Sequence, residues 1–360
     1  MNYRGKTVLV TGHTGFKGSW LCTWLLQLGA TVIGYSLPPK TTPNLFERLD
    51  LKNKLTHYEA TILDDSNLTA VLAKHQPDII FHLAAQPLVR ASYVDPMETY
   101  KTNVMGTVCV LETARHCGSV KAVVNVTSDK CYENREVPYA YRESDPMGGF
   151  DPYSSSKGCA ELVSQAYRRS YFSTDDTLSL ATVRSGNVMG GGDWSDDRLV
   201  PDCIRSLIAS HPISIRYPNA IRPWQHVLEP LSGYLWLGHR LLETGKLYAD
   251  AWNFGPLPSV PTPVKTIVAQ VIQEWGSGQM IVSSEPHPHE AHLLALDISK
   301  TAHLLHWEPV YSVAEAVSHT VSWYKVHRDA STPQTIWEKT INDIATYTHR
   351  ARERNILWAL

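Results

Sequence analysis

The sequence contains no Cys-x-x-Cys pair, no excess of either charge and no long apolar run, and each absence removes a class of protein. Its six cysteines, at positions 22, 109, 117, 131, 159 and 203, are too far apart for a paired-thiolate motif and read as reduced thiols. The 33 lysines and arginines against 35 acids leave a net charge of −2 at pH 7, so no basic surface is implied for nucleic acid or an anionic membrane. The 11 tryptophans are scattered and no basic run accompanies them, unlike a base-stacking platform. No stretch approaches the roughly 18 uninterrupted apolar residues of a membrane helix, since even residues 79–85 are broken by His82. The expectation is a cytoplasmic protein with a small-molecule partner.

At 360 residues the chain exceeds one ordinary core. Its first half alternates short β-branched runs, at 7–11, 31–35, 79–83, 122–126 and 178–183, with segments long enough for crossover helices. Trp20, Leu21, Trp24, Leu25 and Leu28 recur at helical spacing before Gly29. This predicts an α/β protein, a doubly wound parallel sheet of the Rossmann kind. After Ser185 the apolar runs shorten and glycine and proline multiply, which predicts a smaller interleaved C-terminal substrate lobe. The expected division is a dinucleotide-binding domain over 1–185 with returning segments near 222–256, a lobe mainly over 186–330, and a helical segment over 331–360. Residues 98–117 are expected to form one helix, packed on the sheet or facing a partner subunit.

Thr11-Gly12-His13-Thr14-Gly15-Phe16-Lys17-Gly18 follows the first strand and opens the first helix. Gly12, Gly15 and Gly18 let the backbone turn tightly, approach a pyrophosphate and pack the helix close to the sheet, where its amides meet the anion. No aspartate or glutamate precedes Glu47, so the acid expected at the end of the second strand, for the adenosine ribose, is absent and Ser36 stands there. With Lys40 just beyond, the residues alone leave NAD and NADP both open. His13 reads either as shaping the pyrophosphate contact or as filling space.

Tyr153 and Lys157, in Tyr153-Ser154-Ser155-Ser156-Lys157, lie four apart and project from one helix face. A lysine cation there can stabilise a phenolate and make the tyrosine a base near neutral pH. A third string, Thr127-Ser128-Asp129-Lys130, follows the fifth expected strand.

Together with His82-Leu83-Ala84-Ala85-Gln86-Pro87-Leu88-Val89-Arg90, Asn103-Val104-Met105-Gly106-Thr107, Gly190-Gly191-Gly192-Asp193-Trp194, Ile221-Arg222-Pro223-Trp224-Gln225-His226-Val227 and Trp252-Asn253-Phe254-Gly255-Pro256, these motifs make the chain resemble the extended short-chain dehydrogenase/reductase family over nearly its whole length. Within that family it is most similar to the sugar-nucleotide dehydratases that act on CDP-glucose. The resemblance implies an NAD-dependent lyase that oxidises carbon 4, eliminates water across carbons 5 and 6, and returns hydride to carbon 6. It gives Tyr153 the deprotonation of the carbon 4 hydroxyl, Ser128 a contact to that hydroxyl, Asp129 the protonation of the departing hydroxyl, and Lys130 the carbon 5 proton. Relatives acting on dTDP-glucose carry glutamate at the position of Lys130, so a base and an electrostatic stabiliser of the enolate both stand as readings of that lysine.

By the same resemblance Thr14, Phe16, Ser36, Ala84, Thr127, Tyr153 and Lys157 join Gly12, Gly15 and Gly18 along NAD. Gln86, Asn187 and Arg222 face the substrate, with Arg222 offering paired donors to its diphosphate, and Arg198 is a weaker candidate that also reads as a surface salt bridge. The missing ribose acid, and Thr61 where relatives carry aspartate near the adenine, imply looser cofactor binding. A homodimer through the 98–117 helix and the helix of Tyr153 is implied. His287, His289, Glu290 and His292 resemble metal ligands, but nothing completes the set and the family reaction needs no metal, so they read as a loop. Another nucleotide-sugar dehydratase or epimerase, or a catalytically silent nucleotide sensor on the same fold, are the alternatives.

Overall fold

The computed structural model describes residues 1–173, 178–257, 262–283, 293–330 and 332–360. Seven parallel strands form the central sheet: β1 (Thr7–Thr11), β2 (Thr31–Ser36), β3 (Thr56–Glu59), β4 (Ile79–His82), β5 (Ala122–Val126), β6 (Ser179–Ser185) and β7 (Ala251–Phe254). Their spatial order is β7-β6-β5-β4-β1-β2-β3. The chain runs outward from β1 to β3, then crosses to β4 on the other side of β1. Such a reversal leaves a crevice beyond the carboxyl ends of β1 and β4, the place where open α/β sheets bind ligands. Val8, Leu9 and Val10 are fully buried, as expected for a strand covered on both faces.

The helices that matter for the site are α1 (Phe16–Gln27), α2 (Asp65–His75), α3 (Gly106–Arg115), α4 (Pro152–Ser170), α5 (Leu228–Thr244), α6 (Val313–Asp329) and α7 (Pro333–Glu353). Helix α1 buries every residue from Gly18 to Leu25. Its outer side is covered by the C-terminal segment, where Trp24 meets the rings of Tyr347 and Trp358 at 5.8 and 6.0 Å. The carboxylate of Glu229 on α5 accepts from the amides of Val310 and Tyr311 at 2.9 and 2.6 Å and from the Tyr347 hydroxyl at 2.7 Å, which ties α7 to the sheet side. An acid this deeply buried survives because three donors face it.

Three details depart from expectation. The 98–117 segment is not one regular helix: a short helix (Pro96–Tyr100) passes through a π turn (Lys101–Met105) into α3, shifting the stripe in mid-course. Strand β3 has the sequence THYE, too polar for a buried-strand signal, because it is the sheet edge and only half covered. Within the range 222–256 expected to return to the sheet, 251–254 joins it as β7, whereas Gln225–His226 pairs with Val188–Met189 in a separate two-stranded sheet. Two further small parallel pairs lie outside the central sheet: Met280–Val282 with Ile213–Ile215, and Ala295–Leu296 with Ala140–Tyr141, which comes from the first half of the chain.

Candidate active site

The glycine loop closes on itself, with the Gly15 amide donating to the Gly12 carbonyl at 3.1 Å. Gly12 has φ +74°. A Cβ there would sit 2.7 Å from the Ala84 nitrogen, and one on Gly18 would sit 2.2 Å from the Gly12 oxygen. Only glycine allows β1, the loop and the chain after β4 to meet this closely. Helix α1 starts without a side-chain cap and without an acid in its first turn, so its first amides are free to face an anion. Thr14 Oγ1 donates to the Leu37 carbonyl at 2.8 Å and meets Ser36 Oγ at 2.9 Å, so Ser36 takes part in a hydroxyl pair where an acid is commonly found.

His13 is aimed away from the loop's open side. Its Nε2 pairs with His57 Nδ1 at 2.7 Å and its ring stands edge-on to Phe46 at 5.3 Å. The ring fills the space above Gly34, where a Cβ would lie 2.3 Å from His13 Cδ2. Of the two readings of this residue, the structure supports space-filling. Burial brings its pKa down to about 3, with the neighbouring His57 acting in the same direction.

On the other side of β1, α4 begins with Asp151 accepting from the Ser154 amide at 3.0 Å, which sets the rotation of the helix and carries Tyr153, Lys157 and Glu161 on its inner face. Tyr153 is buried, and desolvation pushes its phenol up to about 12, with Ser128 hydrogen bonding and Arg198 pulling the other way. The Lys157 ammonium donates to the Val126 carbonyl at 3.2 Å, and burial lowers its own pKa to about 8.

At the end of β5, Ser128 Oγ donates to Asp129 Oδ1 at 3.0 Å and accepts from the Lys130 amide at 3.2 Å. Asp129 Oδ2 is buried without a hydrogen-bond partner among the described residues. Desolvation raises the Asp129 pKa, against the opposing pull of Lys130, Ser128, Arg222 and Lys17. Room for that carboxylate comes from Gly186, where a Cβ would lie 3.1 Å from Asp129 Oδ2 and 2.3 Å from Pro223 Cγ.

Beneath this group lies a buried ion pair that sequence reading missed. Arg184 Nη2 donates to Glu161 Oε2 at 2.7 Å; Thr182 donates to the same oxygen at 2.8 Å, and Thr127 donates to the other. Arg184 also reaches the Tyr132 hydroxyl at 2.7 Å, which in turn donates to Asn253 at 2.7 Å. The signal was available: Glu161 continues the four-residue spacing of Tyr153 and Lys157, and Arg184 stands three before Asn187. Thr127, expected along the cofactor, spends its hydroxyl on this network. A second missed residue is Lys17, whose amine reaches Ser185 Oγ at 2.9 Å and the Tyr234 hydroxyl at 3.2 Å.

Gln86 lines the site, but its amide is used within the chain: it donates to Leu88 O and Thr99 Oγ1 at 3.1 and 2.9 Å and accepts from the Leu88 amide at 2.7 Å. It braces the loop after β4 while still lining the cavity. Arg198 pairs with the buried Asp193 at 3.3 Å while still bordering the crevice, so it is neither a free arginine nor a plain surface pair. Asn187 and Arg222 also border it, with Arg222 Nη1 donating to its neighbour Ile221 O at 3.0 Å. His287, His289, Glu290 and His292 lie outside the described residues, and no metal-binding cluster of His, Cys, Asp and Glu occurs among those that are described.

The glycine loop, Ser36, Gln86, Ser128, Asp129, Lys130, Tyr153, Lys157, Asn187, Arg198 and Arg222 border a cavity of about 730 Å³ that runs from Ser36 and Thr61 past the glycine loop to Asp129, Tyr153 and Arg222. One end is the adenosine half of a dinucleotide site, over β2 and β3, and the other carries the acid of Asp129, the phenol of Tyr153 and the amines of Lys17, Lys130 and Lys157. A cavity this size holds a cofactor and part of a substrate together.

Comparison with known proteins follows the same lines. The profile of the NAD dependent epimerase/dehydratase family matches residues 8–247. The CDP-glucose 4,6-dehydratase of Salmonella typhimurium is 51% identical over 328 residues, covering 90% of this chain and 91% of that protein. Among solved structures, the dTDP-glucose 4,6-dehydratase of Bacillus anthracis in complex with NAD superposes with a TM-score of 0.75 at 22% identity, over 90% of this chain and 98% of that one. The UDP-glucose 4-epimerase of Thermotoga maritima with UDP-glucose gives 0.77 at 23%, over 89% and 98%. Both structural likenesses speak for the fold.

Proposed function

The chain belongs to the NAD dependent epimerase/dehydratase family, and from that premise we propose that it converts CDP-glucose to CDP-4-keto-6-deoxyglucose with loss of one water. The observation that carries this reading is Asp129: a buried acid with one unpartnered oxygen, in the cavity that also holds Tyr153 and the glycine loop. An epimerase has no departing hydroxyl to protonate and no use for such a group.

The residues fit NAD. The backbone cradle at Gly12 and Gly18 excludes any Cβ, and the uncapped start of α1 offers its amides to the pyrophosphate. Ser36 and Thr14 border the ribose end, and Ala84, Phe16 and Lys157 line the way to the catalytic group. When bound, NAD supplies reversible storage of the hydride taken from carbon 4. Tyr153 removes the proton of the carbon 4 hydroxyl, with Ser128 beside it. The ketone so formed acidifies carbon 5, where Lys130 acts either as a neutral amine that takes the proton or as a cation that stabilises the enolate. Asp129, protonated because burial favours its neutral form, hands its proton to the leaving hydroxyl. Asn187 and Arg222 hold the nucleotide end of the substrate, Arg222 by charge-assisted bonds to phosphate oxygens.

We place the reaction in the cytoplasm and assign a homodimer through the helical face that exposes Met97, Tyr100, Met105 and Leu162. These residues are 66, 37, 50 and 55% exposed on adjoining helices, an apolar patch that a partner copy would cover. The test of the activity is incubation of the purified protein and NAD with CDP-, dTDP-, UDP- and GDP-glucose, followed by mass spectrometry. CDP-glucose should lose one water, and in deuterated solvent the product should carry label at carbon 5. No dehydration of any of the four would overturn the reading.

A further inference from the structure

Lys17 has no part in the reaction just described, yet it is placed at its centre. It is the second residue of α1 and leaves the glycine loop on the side away from β2. Its amine crosses to the end of β6, where it bonds the hydroxyls of Ser185 and of Tyr234 from α5, themselves 2.7 Å apart. The amine also lies 5.4 Å from the centre of the Tyr234 ring. The residue as a whole is only partly buried, but the amine is enclosed. In a doubly wound sheet the two halves of a dinucleotide lie on either side of β1, adenosine over β2 and nicotinamide over the β4 side. Ser36 marks the first half here, and Tyr153 and Lys157 mark the second. Lys17 therefore reaches into the nicotinamide half from behind the loop.

We propose that Lys17 is a positioning residue that places a positive charge behind the nicotinamide and so favours the reduced over the oxidised cofactor. The oxidised ring carries a positive charge that the reduced ring lacks, so a fixed cation nearby disfavours only the former. The device suits a reaction whose first step must draw hydrogen from an unactivated hydroxyl. Two neutral hydroxyls solvate the amine, and the Tyr234 face attracts it, without cancelling its charge.

The charge is adjustable. Burial, with Arg198 and Lys157 acting in the same direction and Asp129 against them, lowers the Lys17 pKa to about 7. Arg198 faces it from the start of the helix Leu199–Ile208, Asp129 from the turn after β5, Lys157 from α4 and Tyr234 from α5. As pH rises through this value the amine loses its charge, and the preference for reduced cofactor should fade.

The inference rests on the reading that NAD occupies this cavity, and direct binding separates the two. NAD and NADH are titrated into wild-type protein, Lys17→Met and Lys17→Arg by calorimetry and by NADH fluorescence, at pH 6 and pH 8.5. Lys17→Met should raise affinity for NAD relative to NADH on the order of tenfold at pH 6, which for a two-electron couple is about 30 mV in the bound potential. Lys17→Arg should keep the wild-type ratio at pH 6. In wild-type protein the ratio should move toward that of Lys17→Met between pH 6 and 8.5, and this arm needs no variant to fold. A ratio identical in all three proteins and at both pH values, or both affinities changing by one common factor, overturns the inference and leaves NAD binding standing. No binding of either cofactor to the wild type overturns the functional reading itself.

Discussion

Ser128 Oγ donates to one oxygen of Asp129 at 3.0 Å and leaves the other oxygen buried without a partner among the described residues. A carboxylate in that state is costly and a carboxylic acid is not, so burial raises the Asp129 pKa and favours the form that the proposed mechanism needs. Asp129→Asn keeps the shape and removes the proton. Elimination should fall by about 10² to 10⁴, the usual share of one general acid. NAD affinity, measured by calorimetry, should stay within twofold. Because the acid form is the working form, wild-type turnover should decline as pH rises through the raised Asp129 pKa. An asparagine variant that dehydrates at the wild-type rate would remove Asp129 from the mechanism.

Much of this arrangement was legible in the sequence because it depends on local spacing. Three glycines after a β-branched run, and a tyrosine four before a lysine, define their geometry within one turn of chain. Glu161 extended the same spacing and passed unnoticed because its partner, Arg184, is 23 residues away and belongs to another strand. Lys17 was hidden for a similar reason, since its partners Ser185 and Tyr234 are contributed by distant segments. The bonds of the Gln86 amide to Leu88 and Thr99 were hidden because sequence does not show that a loop will turn back on its own side chain. Strand β3 was missed because an edge strand does not need the apolar alternation of a central one.

The Glu161–Arg184 pair is buried on both sides, 3 and 4% exposed, and removing one member leaves an uncompensated charge. Glu161→Gln should cost about 3 to 5 kcal/mol in equilibrium urea unfolding. The same change withdraws the negative charge that holds up the Lys157 pKa. The alkaline limb of activity should therefore move to lower pH in a variant that still folds. Unchanged stability would show that the buried pair contributes nothing net to folding.

The helical face around Met105 supplies a sharper test of assembly than of chemistry. Met105→Asp puts a charge at the centre of the exposed apolar patch without touching the cavity. Sedimentation should show a dimer for the wild type at micromolar concentration and a monomer for the variant. A monomeric wild type would show that the patch serves something else.

Acid sensitivity should come from the interior histidines. His13, His82 and His226 are buried, and desolvation brings each pKa down to about 3, against about 6.5 in an unfolded chain. For a base with a lowered folded pKa, the unfolded state binds the extra proton between these limits, so each histidine's contribution is present above pH 6.5 and drains as pH falls toward 3. The rate is about 1.4 kcal/mol per pH unit for each group once the unfolded form is protonated. Glu229 works in the opposite sense. Burial raises its pKa to about 7, so between pH 7 and its unfolded value the native state holds the extra proton. Among these four groups one histidine is thereby offset, and the remaining two contribute a loss of about 2 to 3 kcal/mol from pH 6 to pH 5. Urea midpoints at the two pH values measure it directly. In Glu229→Gln, whose side chain no longer titrates, the pH-dependent loss over the same interval should grow to that of all three histidines. A midpoint that holds or rises on acidification would show that these imidazoles are not the groups governing stability there.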